Sequence, residues 1–142
     1  MHRIFVDTAH LLAILWPGDN LHALAVRVAS DLARDTRVEF VTTHLVLAEL
    51  LAAMAGGGPH VRLRVAEYVE SLIAQKNVTI VDLTPTLFER GLDRYRRRSD
   101  KSYSLTDCAS MVVCRDLGIT DILTSDRDFE QEGFTIMLRP TK

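Results

Sequence analysis

The chain has 142 residues, 17 of them Lys or Arg and 19 Asp or Glu, for a formal net charge of -2. At 47% hydrophobic and 25% charged it matches one ordinary globular domain, residues 1–142, and this excludes disordered, collagen-like and disulfide-framework classes. The charge balance also excludes a protein that grips nucleic acid by bulk positive charge, so any such contact has to be local.

Along the chain, the apolar run Ile4 to Val6 ends abruptly at Asp7 and predicts a short buried strand. That run is too short for a signal-peptide core, and no stretch approaches the roughly 18 apolar residues of a membrane span, so a soluble, cytoplasmic protein is expected. Leu21, Leu24, Ala25, Val28 and Leu32 then fall on one helical face. Val38 to Val41 predicts a second strand, followed by an apolar helix through Leu45 to Met54. Gly56-Gly57-Gly58-Pro59 ends that helix, and the next turns Val65, Val69, Leu72 and Ile73 inward. Val78 to Val81 predicts a third strand. A basic run follows, and then a helix from Thr106 to Leu117 with Ala109, Val112, Val113 and Leu117 on its inner face. Ile119 to Leu123 and Phe134 to Leu138 supply two more strands, with a short turn at Arg127 to Glu130 between them. Strands alternating with helices predict an α/β fold with a mainly parallel sheet.

Cys108 and Cys114, six residues apart in one helix, face different ways and predict no disulfide. The five histidines are scattered and there is no CxxC or HExxH, so a zinc site of His/Cys type has no support. Any metal would be held by oxygen. In open parallel sheets the working residues gather where strands end and helices begin, and here those residues are mostly carboxylates.

Asp7 follows the first strand; Asp126 follows the strand ending near Thr124, with Asp128 two residues on. Glu49 is the only formally charged residue between Phe40 and Arg62, and burying it uncompensated on so apolar a helix would cost several kcal/mol. Asp107 opens the helix of Thr106. Each also has a plainer use. Ser104 and Asp107 make a capping box, Asp126 is placed to cap the turn after it, Asp7 ends a strand, and Glu49 could face solvent. Together, however, the four stand where an α/β site is expected. Clustered carboxylates repel one another until their pKa values rise or a cation neutralises them. An oxygen-only set suits Mg²⁺ or Mn²⁺, and the reaction such a site fits is phosphodiester hydrolysis.

Ile4-Phe5-Val6-Asp7-Thr8, Glu49 in its apolar helix, Ser104-Leu105-Thr106-Asp107 and Leu123-Thr124-Ser125-Asp126-Arg127-Asp128-Phe129 resemble the PIN domain, specifically the small VapC-like toxins. The resemblance spans nearly the whole chain. It implies a three-layer α/β/α fold and an Mg²⁺- or Mn²⁺-dependent endoribonuclease that cleaves single-stranded RNA. It further implies a toxin with a cognate antitoxin, and a homodimer. Asp7, Glu49, Asp107 and Asp126 take the places of the family's acidic quartet, with Thr8 and Thr124 in supporting positions and Asp128 as a neighbouring group or extra ligand.

Arg90, Arg94, Arg96, Arg97, Arg98 and Lys101 precede the Asp107 helix. They read either as a solvated helix end or as a rim for RNA phosphates, in which Arg96, Arg97, Arg98 and Lys101 are the candidates. Trp16 and Tyr103 are candidate stacking residues, with core packing or a partner surface as the other use of Trp16. Two rival hydrolase and receiver readings fit less well: a haloacid-dehalogenase phosphatase wants an Asp where Ala9 stands, and a receiver domain has no place for Glu49 and Asp107 on helices. A non-catalytic module of the same fold, binding RNA or protein, is the rival of a different class.

Overall fold

The computed structural model describes residues 1–140; the last two residues of the expected domain lie outside the described residues. Among the described residues five strands form one sheet: β1 (His2–Val6), β2 (Val38–Thr43), β3 (Val78–Val81), β4 (Asp121–Leu123) and β5 (Thr135–Ile136), in the order β3-β2-β1-β4-β5. Every pairing is parallel, with Ile4 opposite both Phe40 and Asp121. Helices make all the connections. α1 (Thr8–Leu15) and α2 (His22–Ala33) lead from β1 to β2, α3 (His44–Met54) and α4 (Pro59–Ala74) from β2 to β3, α5 (Pro85–Arg97) and α6 (Leu105–Leu117) from β3 to β4, and α7 (Asp128–Gln131) from β4 to β5.

The order of the strands fixes where the helices go. From β1 the chain steps outward to β2 and β3, then returns past β1 to place β4 on its other side. Right-handed crossovers therefore put α1 to α4 on one face and α5 to α7 on the other, giving three layers. The reversal leaves a crevice at the carboxyl ends of β1 and β4, the topological switch point where ligands bind in open sheets. The core runs through both faces, with Ile4, Phe5, Val46, Leu50, Met111, Ile122 and Leu138 essentially inaccessible.

All five predicted strands are present, and the Gly56–Pro59 break separates α3 from α4. Three expectations need correction. Ile73 and Leu117 are exposed, each in the last turn of its helix. Trp16 caps the end of α1 half in solvent and is no core residue. Tyr103, expected as a stacking surface, is buried, its hydroxyl donating to Glu132 Oε2 at 3.0 Å. Among the described residues no helix is long and apolar enough to cross a membrane.

α1 carries a local inconsistency. His10 is buried, its Nδ1 lacks a hydrogen-bond partner among the described residues, and it lines a cavity of about 150 Å³ with Phe40, Thr42, Tyr68 and Leu72. Burial lowers its pKa to about 4 from 6.5. A folded-state pKa below the unfolded value means that the unfolded chain takes up the proton first, so stability falls as pH drops from about 6.5 toward 4. His10→Leu removes this slope and should be the more stable protein at pH 5 by roughly 2 kcal/mol. Urea titrations of both proteins at pH 5 and pH 8 measure it; a variant that loses stability at pH 5 contradicts the assignment.

Candidate metal centre

The crevice is built by the ends of four elements. Asp7 is the residue after β1 and stands at the N-cap of α1, with extended backbone and no side-chain capping bond. Its carboxylate turns inward, only 3% exposed, where the adjacent Thr8 N–H favours its ionised form. Thr124, after β4, is fully buried; its Oγ1 donates to Asp7 Oδ2 at 2.8 Å and accepts from the Asp126 N–H at 3.1 Å. One hydroxyl thus ties the carboxylate of β1 to the turn that follows β4. A second tie holds the frame: Thr42 Oγ1 donates to the Val6 carbonyl at 2.8 Å, fixing the end of β2 against the end of β1.

Asp107 opens α6 with the full capping box, its N–H donating to Ser104 Oγ and its Oδ2 accepting from the Ser104 N–H, both at 3.0 Å. Asp126 accepts from the Asp128 N–H through Oδ1 at 2.9 Å, and so braces the turn from one residue ahead of Arg127, the N-cap of α7. The plain structural roles are therefore real, but each leaves carboxylate oxygens unoccupied. Oxygens of Asp107, Asp126 and Asp128 lie within 4.8 Å of one another, close to twice the Mg–O distance of about 2.1 Å. Asp128, left open between an extra ligand and a neighbouring group, is thus a full geometric member of the cluster. Asp7 and Glu49 stand outside this closest group yet share its field: Asp7 feels Asp107 and Asp126, and Asp107 feels Asp126 and Glu49.

The field is strong. Burial, then the charges of Asp107 and Asp126, hold the Asp7 carboxyl up at about 7 against the bond from Thr124, and burial with Asp126 and Glu49 holds Asp107 at about 6. Burial and Asp126 also raise Asp128, while the Lys101 ammonium lowers it. Beside Asp7, the buried Thr8 Oγ1 has no hydrogen-bond partner among the described residues. Oxygen-only donors, carboxylates that resist ionising together and an unpartnered buried hydroxyl make a donor set that fits a divalent cation.

The basic run divides. Arg90 makes a bidentate pair with Asp116, Arg97 pairs with Asp93 at 2.8 Å, and Arg94 and Arg98 close on Glu132 at 2.6 and 2.9 Å. A concavity of about 810 Å³ is lined by these arginines, yet Glu89, Asp93 and Glu132 share its wall, so its charge is largely neutralised internally. Arg96 and Lys101 form no ion pair among the described residues.

Comparison with known proteins bears on the fold and the family. No curated protein sequence matches the chain. The fold is similar to that of VapC20 of Mycobacterium tuberculosis, a Sarcin-Ricin loop cleaving toxin, at 26% identity and a TM-score of 0.79 over 93% of this chain and 96% of that one. It is also similar to FitAcB from Neisseria gonorrhoeae, at 14% identity and a TM-score of 0.65 over 94% and 96% of the two chains, a likeness of fold alone. A Pyrobaculum aerophilum protein shares the fold at 15% identity and a TM-score of 0.61, over 95% of this chain and 89% of that one. The PIN domain family model matches residues 4–134, a span that includes every carboxylate of the crevice, and the chain belongs to that family.

Proposed function

We propose that the chain is an endoribonuclease that cleaves single-stranded RNA with Mg²⁺ or Mn²⁺, acts as the toxin of a toxin–antitoxin pair, and forms one nuclease domain over residues 1–142. The observation that carries this reading is the convergence of carboxylates from four elements on the switch-point crevice, two of them held near neutrality by burial and mutual repulsion. Asp7, Asp107 and Asp126 would hold the cation, with Glu49 ligating it or orienting the attacking water. When bound, the cation supplies positive charge to the scissile phosphate and acidifies water.

The protein's own groups do the rest. Thr124 holds Asp7 in one rotamer through its hydroxyl bond, so the carboxylate meets its ligand without reorganising. Thr8 Oγ1 offers a donor inside the crevice, and Asp128 adds an acceptor at its rim. Arg96 and Lys101 neutralise backbone phosphates, while Arg97 and Arg98 do so only in competition with Asp93 and Glu132. A cognate antitoxin and a homodimeric state complete the proposal. The toxin role of VapC20 supports the first of these partners.

Purified protein incubated with labelled single-stranded RNA should cut it with Mg²⁺ or Mn²⁺ and not with EDTA. RNA left intact under all three conditions would leave a non-catalytic module of this fold. The pH dependence is also specified. Because Asp7 and Asp107 bind protons up to about 7 and 6, a cation has to displace them, so apparent Mn²⁺ affinity should rise by about tenfold or more between pH 6 and pH 8. Calorimetric titrations in buffers of different ionisation enthalpy should register proton release at pH 6.5, and pH-independent affinity contradicts the role of Asp7.

A further inference from the structure

α5 ends in a surface that lies outside the carboxylate crevice. Tyr95 is 51% exposed, one turn beyond the exposed Leu92, and with Arg96, Ser99, Lys101 and Ser102 it lines a concavity of about 620 Å³. Arg96 and Lys101, the two cations of the basic run that make no ion pair among the described residues, both belong to this pocket. The pocket lies next to the carboxylates, since α5 and α6 pack together with Gly91 against Leu105 and Ala109, so the end of α5 meets the start of α6.

The backbone of this surface is hydrogen-bonded to itself. The Arg98 N–H donates to the Arg94 carbonyl at 3.0 Å and the Lys101 N–H to the Arg98 carbonyl at 2.9 Å, winding the chain tightly after Tyr95. Arg94, Arg98 and Tyr103 then converge on one carboxylate, Glu132, just beyond α7. The turns on either side of Tyr95 are thereby tied to the residue that ends α7, the helix that Asp128 opens and Asp126 precedes.

We propose that this pocket is a nucleobase subsite: the Tyr95 ring stacks a base of single-stranded RNA flanking the scissile phosphate, while Arg96 and Lys101 bind the phosphates on either side of that base. The inference rests on the ribonuclease reading above. An aromatic face accepts any base by stacking, and two cations beside it with no internal ion pair match a polyanionic strand and not an apolar partner face. Phe88 and Leu92 continue the exposed stripe along α5, so a protein partner is the competing occupant.

The test uses the full chain carrying Asp7→Asn and a fluorescein-labelled single-stranded RNA dodecamer, followed by anisotropy in Mg²⁺. Adding Tyr95→Ala should weaken binding about tenfold and Tyr95→Phe should restore it, because stacking needs the ring and not the hydroxyl. An oligomer with an abasic residue at the scanned position should bind equally well with and without the Tyr95→Ala substitution. Arg96→Ala with Lys101→Ala should lower the slope of log affinity against log salt by about 1.4, the single-strand value for two phosphates. Equal RNA binding by the Tyr95→Ala protein overturns the subsite, as does a sedimentation shift in that variant with RNA binding unchanged, which would assign the stripe to a protein interface. Tyr95-dependent binding by a protein that cuts no RNA would leave the subsite standing and remove the catalytic reading. Cutting with Tyr95-independent binding would do the reverse.

Discussion

Asp7→Asn should abolish metal-dependent RNA cleavage, by about 10³-fold or more, and at the same time make the metal-free protein more stable at pH 8. Both effects come from the same carboxylate. Its pKa of about 7 in the fold against 3.8 for an unperturbed aspartate is a shift of roughly 3 units, and at 1.36 kcal/mol per unit ionised Asp7 costs the native state roughly 4 kcal/mol. The sign follows from proton binding: a raised pKa means the native state holds the proton more tightly, so the stability contributed by Asp7 is fully present below about 3.8 and is lost as pH rises from there through about 7, opposite in sign to the contribution of His10. Asn cannot ionise, and its amide oxygen still accepts from Thr124 Oγ1. The variant should therefore melt at a higher temperature than the parent at pH 8 without metal, and the gap should vanish near pH 4. A variant less stable than the parent at pH 8 would mean that the Asp7 charge is compensated by something other than a cation. Saturating Mn²⁺ should narrow the gap by stabilising the parent alone, since a ligand that binds only the native state raises its stability.

Phe129→Ala should cost 3–5 kcal/mol, roughly the range for emptying a buried aromatic site, and should loosen the acidic turn with it. Phe129 is fully buried in α7, its ring edge-to-face with Phe134 at 6.2 Å and 68°, and Phe134 is covered in turn by the Arg115 guanidinium at 4.9 Å. The Phe129 N–H donates to the Asp126 carbonyl at 3.3 Å and its carbonyl accepts from the Phe134 N–H at 3.1 Å, so this residue anchors the loop carrying Asp126 and Asp128. Denaturant unfolding measures the loss. Cleavage below the new melting temperature should also fall by about tenfold, because a displacement of about 1 Å in a positioned group is enough to cost that much. Full activity in a folded Phe129→Ala protein would detach the turn from the site.

Much of the fold was legible from local chemistry. Runs such as Ile4 to Val6 and Val78 to Val81 are short, apolar and stopped by polar residues, which leaves a buried parallel strand as the reading, and Asp7 and Asp126 mark where two of the strands end. Ser104 and Asp107 act within three residues of each other, so their capping box is visible in the sequence itself. α1 was not visible as a helix: Thr-Ala-His-Leu-Leu-Ala-Ile-Leu is apolar almost all round and has no polar face to set a period. How the basic run divides was hidden for a different reason. Glu132 neutralises Arg94 and Arg98 from 38 and 34 residues away, a pairing that only the packing of α5 against the turn after α7 creates. The same packing buries Tyr103 and leaves Tyr95, in the last turn of α5, exposed. Asp128 likewise joins the carboxylate cluster through the conformation of the Asp126 turn, which residue spacing does not specify.

A divalent-metal site shared by carboxylates of separate elements is the central claim, and anomalous diffraction from crystals soaked in Mn²⁺ at pH 8 tests it most directly. A manganese peak within coordination distance of Asp7, Asp107 and Asp126 is the predicted result. A peak held by Asp107, Asp126 and Asp128 with Asp7 out of reach, or no peak in crystals of protein that cuts RNA, would contradict it.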